Sequence, residues 1–476
     1  MTDIERPIYV DLDGTLIRGD LLWETLFQYA RQHPAALWRI VPWLGRGKAG
    51  LKAALASAIR FDASLLPYRE EVVEALRRER ARGRRIVLAT AANERLAHAV
   101  AEHLGLFDAV MASDATTNLS ARRKLDRILR DCGEGGYDYY GNSADDVCLL
   151  DAAGEATVVQ PDSAAKRWQS ARNARLLEDE GSSLLRGCVR AMRPHQWTKN
   201  ALIFVPLVLG LEFFQFSLFV AAAFAFVSFS AMASAIYIIN DLLDLDSDRR
   251  HKNKRRRPFA SGTVPIPTGL ALSGGLFLFS CAVALFLPPA FWLVLASYLL
   301  ITTAYSVALK RMLLIDVLTL AALYTTRIMA GAAAVSADDS FWLLAFSIFF
   351  FLSLALVKRY TELVEFGVGA ERSKTGRGYV DADLETLAQA GMSSGFASVL
   401  VLALYVDSAD VRQLYDHPYL LWPLCPLVLY IIVRIWILAR RNQMHEDPVV
   451  FILRDWRSQI MVAAGALMFV AAAYVG

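Results

Sequence analysis

Three aspartates, Asp241, Asp244 and Asp248, fall at i, i+3 and i+7 in the stretch IYIINDLLDLDSDRRHKNKRRRPFASG, residues 236–262. On a helix that spacing puts them on one face, with Asp246 pointing elsewhere and Asn240 flanking them. Three crowded carboxylates are costly unless a cation neutralises them, and such oxygen ligands suit Mg2+ together with phosphate oxygens. Seven basic residues follow: Arg249, Arg250, Lys252, Lys254, Arg255, Arg256 and Arg257. They suit further phosphate charge. A basic loop at a membrane edge explains the lysines and arginines but not the carboxylate spacing.

A second set of acids lies near the N-terminus. The run IYVDLD, residues 8–13, reads as a buried strand ending in Asp11 and Asp13. Further apolar runs at 85–90, 109–112, 137–141 and 157–160 alternate with helical stretches. This alternation predicts an α/β fold, a parallel sheet with helices on both faces. Sites in such sheets lie beyond the carboxyl ends of the strands. Asp11 and Asp13, Thr90, and the stretch from Asn142 to Asp146 all fall there. Between residues 17 and 82 an insert with helical stretches at 23–32 and 49–60 reads as a small helical cap.

The elements that must carry these residues are of two kinds. The chain has 476 residues, and its net charge of +3 decides little because the charges are unevenly placed. Residues 1–162 read as a soluble domain, 163–192 as a polar linker, and 193–476 as a membrane domain. Within the linker, SSLLRGCVRAMRP (182–194) has the pattern of a surface-lying amphipathic helix or of a solvated one. The five cysteines are scattered, which argues against a zinc site or a disulfide framework. The opening MTDIERP is acidic and the apolar stretch after it only a strand long, so no signal peptide is expected. Nucleic acid is not an expected partner.

Nine transmembrane helices are expected, at roughly 198–216, 218–240, 269–287, 290–309, 313–335, 340–357, 386–406, 419–439 and 457–475. The loops after the even spans carry the basic residues, among them Lys310, Arg311, Lys358, Arg359, Arg372, Lys374 and Arg377. The positive-inside rule therefore puts the N-terminal domain in the cytoplasm and the C-terminus outside. Other polar residues gather on the cytoplasmic side. RPHQWTKN (193–200) brings Arg193, Lys199 and Asn200, and the fifth span carries Asp316 and, eleven residues on, Arg327. A charged residue inside a span is costly and more plausibly lines a cavity than faces lipid.

The N-terminal motifs DLDGTL (11–16), Thr90, Lys124 and GNSADD (141–146) resemble, in order, those of the haloacid dehalogenase (HAD) phosphatase superfamily. That resemblance implies Asp11 as the nucleophile forming an aspartyl phosphate, and Asp13 as general acid and base with its main-chain carbonyl on a metal. It further implies Thr90 and Lys124 holding the phosphoryl group, and Asp145 or Asp146 completing a Mg2+ site. Where the family often has GDxxxD, Asn142 replaces the first acid. Its amide oxygen can still ligate Mg2+ but contributes less charge.

The NDxxDxxxD motif at 240–248 and the helical layout resemble the UbiA superfamily of intramembrane prenyltransferases. Typical members carry a second aspartate-rich motif, whereas here Asp316 is followed four residues on by Leu320. RPHQWTKN, the 240–262 stretch and KRYTEL (358–363) look more like the decaprenyl-phosphate phosphoribosyltransferase branch. That branch implies phosphoribosyl pyrophosphate (PRPP) as donor, a polyprenyl phosphate as acceptor, membrane lipid as surroundings, Mg2+ in both domains and a bacterial inner membrane. The resemblance makes Asp241, Asp244 and Asp248 the Mg2+-holding residues. Asn240, Arg193, Lys199, Asn200, Arg255, Arg257, Asp316, Arg327, Lys358 and Arg359 are candidates for holding substrate. The rival enzyme reading is a prenyl diphosphate-dependent transferase with an aromatic acceptor and an auxiliary or inactive HAD domain. A transporter is the rival from another class, and the absence of a convincing repeat speaks against it.

Overall fold

The computed structural model describes residues 6–178, 183–210, 215–337, 340–366, 378–415, 417–444 and 447–474. The basic residues Arg372, Lys374 and Arg377 lie outside the described residues. The chain divides into two compact units, one of residues 1–192 with 237–273, the other of 193–236 with 274–476.

The first unit is built on a six-stranded, wholly parallel sheet in the order β3-β2-β1-β4-β5-β6. Its strands are β1 (Ile8–Val10), β2 (Ile86–Asn93), β3 (Ala109–Ser113), β4 (Asp138–Gly141), β5 (Glu155–Val159) and β6 (Arg175–Leu177). β1 is central and its three residues are fully buried, as a parallel strand covered by helices on both faces must be. The sequence-expected strands are all present. β6 and the helix before it, Ser163–Arg172, arise from the polar stretch after residue 162 and extend the sheet edge.

The cap after β1 comprises α1 (Leu21–Gln32), a 3-10 turn (Pro34–Arg39), α2 (Ile40–Leu44) and α3 (Gly47–Ala58). Asp20 caps α1 by accepting from the Leu22 amide at 2.7 Å. Tyr29, Leu51, Leu55 and Ile59 form the cap's own small core. Residues 237–273 belong to this same unit. The Phe216–Leu243 helix ends there and a short helix, Leu245–Arg250, follows.

Among the described residues seven helices are long and apolar enough to cross a membrane: 216–243, 266–284, 289–307, 315–335, 341–365, 381–406 and 418–440. Seven of the nine expected spans are matched by such helices, and the first and the last are not. The expected first span is broken into a 3-10 helix, Pro194–Phe204, and a single turn, Val205–Leu209, ended by Gly210. Pro206 has no amide donor to continue the helical ladder, which favours this interrupted form. The expected last span is a helix, Trp456–Tyr474, whose apolar part, Trp456–Ala472, is shorter than those of the seven.

Candidate functional sites

In the first unit the loop after β1 turns sharply at Gly14, whose φ of +77° lies in the left-handed region. A Cβ there would meet the Asn142 side chain at 2.2 Å, so the loop and Asn142 pack directly. Asp11 accepts from Lys124 Nζ at 2.8 Å. The same ammonium donates to Asp146 Oδ1 at 3.2 Å and to the Tyr139 hydroxyl at 2.9 Å. Burial, partly offset by Lys124 and reinforced by the Asp146 charge, raises the Asp11 carboxyl to about 7. Asp13 is raised to about 8, by burial first and then by the charges of Asp20 and Asp11. Burial pulls the Lys124 ammonium down, but Asp11 and Asp146 outweigh it and hold its pKa above the ordinary lysine value. Thr90 is buried within β2, three residues before its end, and accepts from the Ala92 amide at 2.9 Å, leaving its own proton to donate.

The remaining acids of this cluster differ. Asp146 accepts from Lys124, Tyr139, the amides of Asn142 and Ser143, and the Ser143 hydroxyl. Both its oxygens are thus committed, and it holds Lys124 in place. Asp145 is exposed. Asn142 approaches Thr15, whose hydroxyl donates to Asn142 Oδ1 at 3.4 Å. Tyr139, missed by sequence reading, is found only by the alternation along β4 that points it at Lys124.

The aspartate stretch follows on the same unit. Backbone bonds from Asp244 to Asn240 and from Asp248 to Asp244, both 2.9 Å, carry the helical path across the junction at Asp244. Asp241 and Asp248 therefore stay on one side, both buried. Arg257 Nη1 bridges them, at 3.1 Å to Asp241 and 2.7 Å to Asp248. Asn240 and Asp244 are half-buried. Arg249 turns to the cap and makes a two-pronged pair with Glu24 at 2.7 and 2.9 Å, while Arg250 approaches Asp62 at 3.3 Å. Gln28 donates to Asp246 at 3.3 Å. Lys252, Lys254, Arg255 and Arg256 are exposed.

The second unit gathers its own charges. Lys199 and Lys358 converge on Asp447, at 2.7 and 3.2 Å, and the Tyr324 hydroxyl donates to the same carboxylate at 3.0 Å. Asp447 also accepts from the Val449 amide as the N-cap of the helix Pro448–Arg454. Tyr324 stacks on Phe351, and Phe351, Leu354 and Val449 line an apolar cavity of about 700 Å³. Arg327 donates to Asn200 Oδ1 at 2.9 Å and to the Leu323 carbonyl, and lies over the rings of Phe229, Tyr298 and Tyr324. Asp316 does not pair with Arg327. It is fully buried against Arg359 at 2.6 Å and accepts from the Tyr379 hydroxyl at 2.5 Å. Arg359 also reaches Glu362. Arg193 enters this unit half-buried in a left-handed conformation, φ +53°.

Among the described residues no group of three or more Asp, Glu, His or Cys side chains stands ready to hold a metal unaided. The donors nevertheless suit Mg2+, which is commonly held by one or two carboxylates and completed by substrate phosphates. Asp241 with Asp248, and Asp11 with the Asp13 carbonyl and the Asn142 amide, are sets of that kind.

An α/β domain with a paired aspartate and lysine beyond its central strand, joined to apolar helices carrying buried acids and lysines, defines a membrane protein with a hydrolase-type domain and a transferase-type domain. The chain belongs to the UbiA prenyltransferase family, whose model matches residues 202–454. Residues 8–151 match the haloacid dehalogenase-like hydrolase model. The uncharacterized protein y4nM of Sinorhizobium fredii is 38% identical over 474 residues, 99% of this chain and 92% of that one. Nodulation protein NoeC of Azorhizobium caulinodans is 35% identical over 286 residues, 58% of this chain and 90% of the relative. A decaprenyl-phosphate phosphoribosyltransferase of Mycolicibacterium smegmatis is 34% identical over 233 residues, 48% of this chain and 72% of that enzyme.

Proposed function

We propose that the membrane domain transfers 5-phosphoribose from PRPP to a polyprenyl phosphate, and that the HAD domain then removes the 5-phosphate. The observation that carries this reading is the Asp316–Arg359 pair. At the place where a prenyl diphosphate enzyme uses a second acidic motif, the one acid is buried in an ion pair with an arginine and accepts a hydrogen bond from a tyrosine. That leaves Asp241 and Asp248 as the acidic couple and favours a different donor. The relative named for phosphoribosyl transfer supports the same choice.

In the transfer, a lipid phosphate oxygen forms a bond to the anomeric carbon while the bond to pyrophosphate breaks. Lys199 and Lys358 are placed to exchange Asp447 for a phosphate, because ammonium groups bind either anion through charge-assisted hydrogen bonds. The apolar cavity beside them takes part of the polyprenyl chain. Arg193, Arg255 and Arg257 are further phosphate ligands, Asn240 flanks the acidic couple, and Arg327 orients Asn200. In the HAD domain Asp11 attacks phosphorus, Asp13 gives its proton to the departing ribose oxygen, and Thr90 and Lys124 hold the phosphoryl oxygens. Water then opens the aspartyl phosphate and Asp13 takes back a proton. Asp241, Asp244 and Asp248 in one domain, and Asp11, Asp13 and Asn142 in the other, would hold Mg2+, which would supply charge neutralisation at phosphate oxygens.

The resemblance supports a bacterial inner membrane for this reading, and loop charge supports a cytoplasmic N-terminal domain with a periplasmic C-terminus. Its test is direct. Membranes containing the protein, given labelled PRPP and polyprenyl phosphate, yield a labelled lipid. A label that stays in the aqueous phase overturns the assignment.

A further inference from the structure

The cap segment Pro34–Leu44 is apolar on two sides. Ala36, Ile40 and Trp43, spaced i, i+4 and i+7, pack on the core formed by Tyr29, Leu51, Leu55 and Ile59. Leu37, Trp38, Val41 and Leu44, spaced i, i+1, i+4 and i+7, form the outer face and are 42%, 67%, 71% and 59% exposed. A short helix that is apolar all round is normally covered on both sides, and a contiguous exposed apolar patch marks an interaction surface.

Charge says what covers it. From Thr25 to Phe61 the cap carries Arg31, Arg39, Arg46, Lys48, Lys52 and Arg60 and no acidic residue. Arg39, Arg46 and Lys48 are exposed beside the apolar face, and the Arg39 guanidinium lies over the Trp38 ring at 5.6 Å. Tryptophan, aliphatic side chains and basic residues together are the composition of a segment lying in a membrane interface. The cap is also fastened to a membrane-edge segment of its own unit. Gln28 holds Asp246, Glu24 holds Arg249, and Asp62 meets Arg250, all within a few residues of Leu243, where an apolar helix long enough to cross a membrane ends.

We propose that the outer face of Pro34–Leu44 is a docking surface for anionic phospholipid, with Trp38, Val41 and Leu44 at the headgroup–acyl boundary and Arg39, Arg46 and Lys48 on the lipid phosphates. The inference rests on the membrane reading above and deepens it. The docked cap is the element that follows the Asp11–Asp13 loop, since the first amide of α1, that of Leu21, donates to Asp13 at 2.8 Å. Docking holds that loop at the lipid surface, where a phosphate monoester carried on a lipid is met.

The test uses the full chain in nanodiscs of phosphatidylcholine, with and without phosphatidylglycerol, and reads hydrogen exchange over residues 34–48. Exchange slows in the discs relative to detergent, and slows further with phosphatidylglycerol. Arg39→Gln lowers the phosphatidylglycerol-dependent protection by roughly fivefold, the worth of one basic side chain at an anionic surface. The double variant Trp38→Glu with Val41→Glu loses the protection but still hydrolyses para-nitrophenyl phosphate like the parent, which shows that the domain is folded. Equal exchange in detergent and both discs overturns the proposal. So does protection that rises with protein concentration, which marks a second copy as the occupant. Transfer from PRPP without lipid protection sinks the docking surface alone, and protection without transfer sinks the proposed reaction alone.

Discussion

Glu24 and Arg249 stand 225 residues apart in sequence and meet through two hydrogen bonds, 2.7 and 2.9 Å long, with both side chains nearly out of solvent. Arg249 also donates from Nε to the Ala260 carbonyl at 3.0 Å, so the pair pins the turn after the aspartate stretch to the first helix of the cap. Removing one partner of such a pair leaves the other buried and uncompensated, which costs about 3–5 kcal/mol. Arg249→Ala should therefore lower the thermal midpoint of the purified protein. Replacing both, as Glu24→Leu with Arg249→Met, should restore most of it. A single variant as stable as the parent would show the pair to be dispensable.

The two proposed chemistries should separate by mutation. Asp248→Asn should lower lipid labelling from PRPP by about a hundredfold or more, the scale of losing one preorganised charged contact, while hydrolysis of para-nitrophenyl phosphate persists. Asp11→Asn should do the reverse. Membranes with the Asp11→Asn protein should accumulate a lipid one phosphate heavier than that of the parent, as read by mass spectrometry. Identical lipids would mean that the HAD domain acts on something else.

Asn142 stands in GNSADD where the resemblance to the HAD superfamily implies an acid. Asn142→Asp adds a negative charge of nearly unchanged shape beside Gly14. The variant should reach half-maximal phosphatase activity at a lower Mg2+ concentration than the parent. An unchanged Mg2+ titration would show that the residue does not face the ion.

Arg359 and Asp316 make a similar contrast inside the membrane unit. Arg359→Met strands a fully buried carboxylate and should destabilise the protein by about 3–5 kcal/mol. Asp316→Leu combined with Arg359→Met should be close to neutral in a thermal melt yet remain inactive, if the arginine is needed for substrate as well as for the fold. Full activity in the double variant would confine the pair to a structural part.

Much of this was legible in the residues themselves. β1, β2, β3, β4 and β5 announce themselves as short apolar runs, and the placement of Asp11 and Asn142 directly after β1 and β4 follows from how parallel sheets are built, whereas β2 runs on past Thr90 to Asn93. Other features carry no local signal. β6 is three residues, Arg175–Leu177, in a polar stretch, and becomes a strand only because β5 offers it an edge. Asp447, on which Lys199 and Lys358 converge, reads in sequence as an ordinary helix cap before Pro448. Arg249 reads in sequence as one of seven basic residues suited to phosphate and Glu24 carries no signal, yet the fold commits the two to each other. The span expected at 198–216 has the right hydropathy, but Pro206 within it has no amide to continue a helical ladder, and the chain there forms a 3-10 helix followed by a single turn.

The first unit is assembled from two separated pieces of chain, 1–192 and 237–273, and this sets an order of events during synthesis. The sheet strands from Ile8 to Leu177 emerge early and can pair as a unit. The cap's partner Arg249, and Gly262, where an added Cβ would press on Arg18 and Pro67, emerge only after the apolar helix Phe216–Leu243 has been made. At ribosomal speed, residues 193–273 occupy on the order of 4–16 s. Through that interval Glu24 waits without its arginine, so the first unit can reach its finished form only once the apolar helix Phe216–Leu243 has been synthesised.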